Sequence, residues 1–281
     1  MNQVIKLNRI KRYIKEIENV IKKPEMLFLP GQLAFSMVFS LIPTFSLILA
    51  FSTKFHVSLD FILNFIKTTF SVEIAQYLVT LFSVEKITMS SIFVIIVALT
   101  IASNGFSAVI VSADSMYGLA PTNPIKRRIK ALFLTFLFML LFLFILLVPV
   151  FGGYIIDAIS YLSNNAKVIE ITEVVYNLLK WPISLIIIVF FVKLNYTLAP
   201  DKIIPSKFIN KGSIFTTVMF SIVTLGYSFY VNNVARYDLY YGNFANIIIL
   251  MLWLYFLSYI FVMGLALNEK DYKKYKRGNE E

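Results

Sequence analysis

Residues 131–153 read ALFLTFLFMLLFLFILLVPVFGG, an uncharged run in which Thr135 carries the single hydroxyl. A bilayer core takes about 20 apolar residues as one helix, because no water is there to satisfy an open backbone. Five further stretches have the same character, at 33–55, 89–112, 181–198, 213–233 and 244–267. The fourth in chain order, 181–198, is the shortest, and its last turns contain Lys193 and Asn195. The runs are continuous and do not alternate in pairs, which argues for helices and against a porin-like barrel.

Composition agrees. Hydrophobic residues make up 58% of the 281-residue chain and charged residues 15%. A soluble domain carries about 45–50% and roughly 25% respectively. These values exclude an ordinary water-soluble globule, and they also exclude intrinsic disorder, which needs low hydrophobicity and high charge. With no cysteine present, disulfides, thiolate metal sites and thiol nucleophiles are excluded.

The net charge of +10 is distributed unevenly. Nineteen Lys and Arg residues fall in the N-terminal segment, the 2–3 and 4–5 loops and the C-terminal tail, against four in the alternate loops: Lys67, Lys86, Lys167 and Arg236. The positive-inside rule predicts that both termini are cytoplasmic and that the span number is even. The expected location is therefore the bacterial cytoplasmic (inner) membrane. Residues 1–32 do not read as a cleaved signal peptide, because the basic stretch is long and no small-residue cleavage site follows a short apolar core.

The segment at 1–32 is expected to hold a cytoplasmic amphipathic helix, with Ile10, Tyr13, Ile14, Ile17, Val20 and Ile21 opposite Lys11, Arg12, Lys15 and Lys22. Residues 57–87 predict two more amphipathic helices at the outer interface, and 155–178 a further short one. The predicted architecture is an all-α integral membrane domain of six transmembrane helices, ending in a basic tail at 268–281.

Polar residues at membrane depth are the candidate functional groups. Asn104 lies beside Ser103 and Gly105, and two readings fit it: an interhelical hydrogen bond at a close helix contact, or a group lining a cavity. Pro43, with Ser40 nearby, removes a backbone donor in mid-span, which is either a structural kink or an opening. Lys193 either snorkels to the headgroups or holds an anion, with Asn195 beside it. Together these residues predict a polar cavity open to the cytoplasmic side or inner leaflet. Asp114 is expected to pair with Arg127 or Arg128. At the opposite interface, Arg236 and Tyr237 fit a tyrosine belt or an outer anion site.

Three groups of residues resemble the YihY/BrkB family of bacterial inner-membrane proteins. They are Leu33-Ala34-Phe35-Ser36 through Ser40-Leu41-Ile42-Pro43; Ser103-Asn104-Gly105 through Tyr117-Gly118 with Pro124, Arg127 and Arg128; and Tyr230-Val231 through Tyr241-Gly242 with Trp253-Leu254-Tyr255 and Gly264 to Asn268. The resemblance covers roughly residues 25–270. It implies six spans and no established chemistry. Family members carry labels as a ribonuclease or a virulence factor, and one branch is linked to export of a lipopolysaccharide precursor.

The chain has one histidine, His56, and no Walker loop, GxSxG or HExxH motif. No enzymatic activity and no cofactor are therefore expected. The leading expectation is a transporter or flippase-like protein for an anionic or amphipathic lipid-related substrate; the alternative is a non-transporting envelope scaffold. Expected partners are membrane lipids, with anionic headgroups at the cytoplasmic face and no specific nucleic acid; the sequence leaves a homo-oligomer open. Purified protein is expected to leave RNA intact, since metal-dependent phosphodiester cleavage needs clustered ligands. Chelator-sensitive cleavage that disappears on one acidic substitution would contradict this.

Overall fold

The structure, a computed structural model, describes residues 11, 15–55, 63–64, 67, 72, 76, 89–120, 122–162, 166–202, 204–233 and 243–277. Six long helices run through them: α1 (Glu25–Phe55), α2 (Met89–Tyr117), α3 (Pro124–Leu162), α4 (Ala166–Leu198), α5 (Asn210–Asn233) and α6 (Asn243–Arg277). A single 3-10 turn, Ser206–Phe208, leads into α5. Among the described residues, five stretches long and apolar enough to cross a membrane are Glu25–Ile48, Ile92–Tyr117, Glu170–Leu198, Asn210–Tyr230 and Ile247–Tyr275.

Local chemistry sets the helix ends. α2 stops at Gly118, whose φ of 64° only glycine adopts readily. There the Leu119 amide donates to the Asp114 carbonyl at 2.9 Å and the Gly118 amide to the Ser115 carbonyl at 3.1 Å, the paired bonds of a Schellman cap. α3 opens on Pro124 at its first position, with the Asn123 side chain accepting the Ile125 amide at 2.9 Å. The cap and the stop together hold α2 and α3 in a short hairpin.

Several bounds differ from the sequence reading. α1 begins at Glu25 and not at 33. Residues 15–21 are helical and a turn at 22–24 separates them from α1. Pro24 disfavours helical backbone at the residue before it, which divides the segment read as one basic unit. The further short helix expected at 155–178 is absent as a separate element: α3 reaches Leu162 and α4 starts at Ala166. The apolar positions Val168, Ile171, Val174, Val175 and Leu178 continue one helical register into the span. Of the outer helices read at 57–87, only 63–64, 67, 72 and 76 are described, all helical, and the rest lies outside the described residues.

The helices form a ring. Each packs against its neighbour in chain order, α6 closes on α1, and α6 also touches α2. One end carries the N-terminal half of α1, the α2–α3 turn, the α4–α5 connection and the tail of α6, and is called the basic end below. The main core lies there. Leu29, Leu33, Ile110, Ala113, Leu134, Val192, Tyr196, Ile204, Ile209, Val262 and Leu265 are all essentially inaccessible. A second cluster toward the opposite end joins Phe45, Leu47 and Ile48 of α1 to Ala102, Met139, Leu250 and Leu254. Among the described residues, neither α4 nor α5 contributes a buried side chain to it. No described residue is buried in α4 from 170 to 191, nor in α5 from 218 to 230.

Two glycines permit the closest helix approach. A Cβ on Gly212 would collide with the Gly264 carbonyl oxygen and Asn268 Oδ1, and a Cβ on Gly264 with Tyr196 Oη and Thr216 Oγ1. Gly212→Ala or Gly264→Ala should therefore destabilise the detergent-solubilised protein by about 1–3 kcal/mol. Gly226 has nothing within 4 Å of such a Cβ, so Gly226→Ala should be neutral or slightly stabilising. Thermal melts of the three variants check this; equal melting temperatures would contradict the close packing.

Candidate functional site

Where α4, α5 and α6 meet at the basic end, Tyr196 is fully buried. Its hydroxyl donates to the Phe261 carbonyl at 2.8 Å and shares a 2.6 Å hydrogen bond with Thr216 Oγ1. Its ring lies 4.7 Å, centroid to centroid, from that of Phe261. Two helical turns further along α6, Asn268 Oδ1 accepts the Gly212 amide at 2.7 Å. A buried phenol with both oxygen roles used fixes three helices at one point, and losing a partner would leave polar groups stranded in a dry site.

Charged groups flank this junction. Asp114 on α2 accepts the Asp201 backbone amide at 2.8 Å and pairs with Arg127 at 3.4 Å. Lys130 on α3 donates to the Ala199 and Pro200 carbonyls, each at 2.7 Å, and to Asp201 at 3.0 Å. The lysine thus caps the C-terminus of α4, where the helix dipole favours a cation. On the other side, Lys23 pairs with Glu269 at 2.6 Å, and Glu269 also meets Lys273 at 2.5 Å. Lys211 pairs with Glu16 at 2.6 Å. These contacts tie the segment before α1, the α4–α5 connection and the tail of α6 into one plug.

The sequence-selected residues divide among different surroundings. Ser40 is buried against Gly105, where a Cβ would sit 2.6 Å from its Oγ, so α1 and α2 touch at this level. Ser40 Oγ donates to the Met37 carbonyl at 2.9 Å and Ser103 Oγ to the Thr100 carbonyl at 2.8 Å. Thr44, next to Pro43, donates to the Ser40 carbonyl at 2.6 Å. These hydroxyls are therefore satisfied within their own helices. Asn104 faces away from Ser40: it is exposed, and its Oδ1 accepts from Arg128 Nη1 at 2.9 Å. Asn195 is buried and donates to the Phe191 carbonyl at 2.9 Å, while Lys193, two residues earlier on another side of α4, is half-buried. Arg236 and Tyr237 lie outside the described residues. The expected Asp114–Arg127 pair forms. Lys130, Asp201, Glu269 and Tyr196 were not singled out from sequence, and the one available signal was a tyrosine beside Asn195 within an apolar run.

Among the described residues no group of three or more His, Asp or Glu side chains is arranged to hold a metal. Ser112 Oγ, Tyr117 Oη, Asn195 Oδ1 and Asn268 Nδ2 are buried near the plug with no protein partner among the described residues.

Asp201 makes the plug sensitive to acid. Burial pulls its carboxyl upward, but hydrogen bonds from Thr122 and Lys130, with the Lys130 charge, outweigh this and hold it below the ordinary aspartate value. A carboxyl with a depressed folded value stabilises the fold above the unfolded value and loses that contribution as pH falls through the folded one. The melting temperature should therefore drop below about pH 4, and Asp201→Asn should show a lower neutral-pH melting temperature with a smaller acid drop. Parallel curves for both proteins would contradict the assignment.

The family model described as Virulence factor BrkB matches residues 19–281. A ribonuclease-like protein of Bacillus subtilis (strain 168), YfkH, is 30% identical over 189 residues, covering 67% of this chain and 68% of that protein. A UPF0761 membrane protein of Chromobacterium violaceum is 23% identical over 269 residues, covering 91% of this chain and 61% of its own length. A UPF0761 membrane protein of Vibrio atlanticus is 26% identical over 255 residues, covering 86% and 77%. No solved structure matches the chain. A ring of long apolar helices and a match over nearly the whole sequence agree, and the chain belongs to the Virulence factor BrkB family of integral membrane proteins.

Proposed function

We propose that this protein is a six-span transporter of the cytoplasmic membrane that moves an amphipathic, lipid-related substrate. α3, at 39 residues, supplies the sixth span in this reading, and the excess of Lys and Arg at the basic end sets that end in the cytoplasm. In this reading the basic amphipathic segment before α1 rests on the inner leaflet.

One observation carries the reading: α4 and α5 bury side chains at the basic end and none of their described ones over most of the length beyond it. Tyr196, Thr216 and Phe261 lock α4, α5 and α6 together, yet the same α4 and α5 bury no described side chain over 170–191 and 218–230. Half-buried at most over these lengths, with Phe191, Phe220 and Tyr227 against neighbouring helices, the two helices leave apolar surface that needs another apolar surface against it. Acyl chains supply one in a bilayer. Ser40, Thr44, Ser46 and Ser103 spend their hydroxyls on their own helices, so the interior suits hydrocarbon better than a small polar solute. The route in this reading runs along the half-buried lengths of α4 and α5, in place of a polar cavity at the basic end, where the main core is packed. Transport then requires the plug of ion pairs to open.

Two measurements test this. In the cysteine-free chain, Lys202→Cys should resist an impermeant thiol reagent in intact cells, and Val168→Cys should react. Reconstituted protein should speed transbilayer exchange of a fluorescent anionic phospholipid over protein-free vesicles. Equal exchange rates would reject transport and favour a scaffold.

A further inference from the structure

Arg128 differs from the ion-paired cations of the basic end. Arg127 has Asp114, Lys130 has Asp201, Lys23 has Glu269 and Lys211 has Glu16 as a carboxylate partner. Arg128 has no carboxylate partner among the described residues. It is held instead by two neutral acceptors on α2: Nη1 donates to Asn104 Oδ1 at 2.9 Å and Nη2 to the Thr100 carbonyl at 2.5 Å. Neutral acceptors orient a guanidinium without cancelling its charge. They occupy two of its five N–H donors, which leaves donors on the same planar fork for a bidentate acceptor.

The surroundings restrict that acceptor. Asn104 is exposed on the outer face of α2, one turn from Ile101, which is 40% exposed. One turn before Arg128 on α3 stands Ile125, 70% exposed. Arg128 stands in the first turns of α3, and a fixed charge there beside bare hydrocarbon needs an anion attached to an apolar body. We infer that Arg128, clamped by Asn104 and the Thr100 carbonyl, is a binding site for the phosphate of an anionic phospholipid, with Ile101 and Ile125 against its upper acyl chain. The site deepens the membrane reading above by placing a lipid headgroup in the α2–α3 groove, and it rests on the helices standing in a bilayer, not on transport.

Native mass spectrometry of the full chain in mild detergent tests the site, with phosphatidylglycerol, phosphatidylcholine of the same acyl chains, or inorganic phosphate as probe. The parent protein should retain phosphatidylglycerol in preference to phosphatidylcholine. Arg128→Gln should weaken phosphatidylglycerol binding by about tenfold, and Arg128→Lys should fall between, because it keeps the charge and loses the fork. Asn104→Ala leaves the charge in place and should still lower retention several-fold, so it carries the test if Arg128→Gln fails to fold. Lys126→Gln, which removes a neighbouring exposed charge, should change binding little. Unchanged binding in Arg128→Gln or Asn104→Ala, equal loss in Lys126→Gln, or displacement by inorganic phosphate at concentrations matching the lipid would each overturn the inference. Intact phosphatidylglycerol binding without transbilayer exchange would reject transport and leave this site standing.

Discussion

The buried hydroxyl of Tyr196 is the constraint on which the basic end depends. It is reached from α5 by Thr216 and from α6 by the Phe261 carbonyl, and neither contact exists unless Gly264 lets the phenol approach the helix. In a low-dielectric interior, a hydroxyl whose donor and acceptor capacities are both used is worth far more than one facing water, and half-using it is expensive. Hydrophobic burial cannot choose between helix orientations in a membrane, because lipid is as apolar as leucine. The polar contact and the missing Cβ supply that choice.

The ion pairs act as a second layer around this point. Each joins segments far apart in sequence: Lys23 to Glu269, Lys130 to Asp201, Lys211 to Glu16. They sit where helices emerge from apolar surroundings, so their charges are partly desolvated but close to water. Such pairs hold geometry without adding much stability. An arrangement of this kind holds its geometry while every partner is present and is separable when one is neutralised.

Asn104 shows how a residue can stand out in a sequence while its partner does not. Its depth in an apolar run marks it as unusual. Sequence reading grouped it with Ser40, Ser103 and Lys193. The structure turns it outward to Arg128, because Asn104 lies 100° around the helix from Gly105, and Gly105 occupies the side facing Ser40. Spacing sets which residues share a face, and it does not set which face turns inward.

The sequence by itself determined that the chain is helical, that it belongs in a membrane, where its apolar runs fall and which end is basic. Those properties follow from composition and period, because a bilayer demands about 20 apolar residues per helix and an internally bonded backbone. The Asp114–Arg127 pair was also legible, since only a capped turn separates the two. Tertiary structure decided the rest. Tyr196 meets Thr216 and Phe261, Lys130 caps α4, and α4 and α5 stay unburied over much of their length. These depend on the rotation and tilt of each helix about its axis. In a chain apolar on nearly every face, no periodicity records that rotation, and a few polar atoms and two glycines fix it.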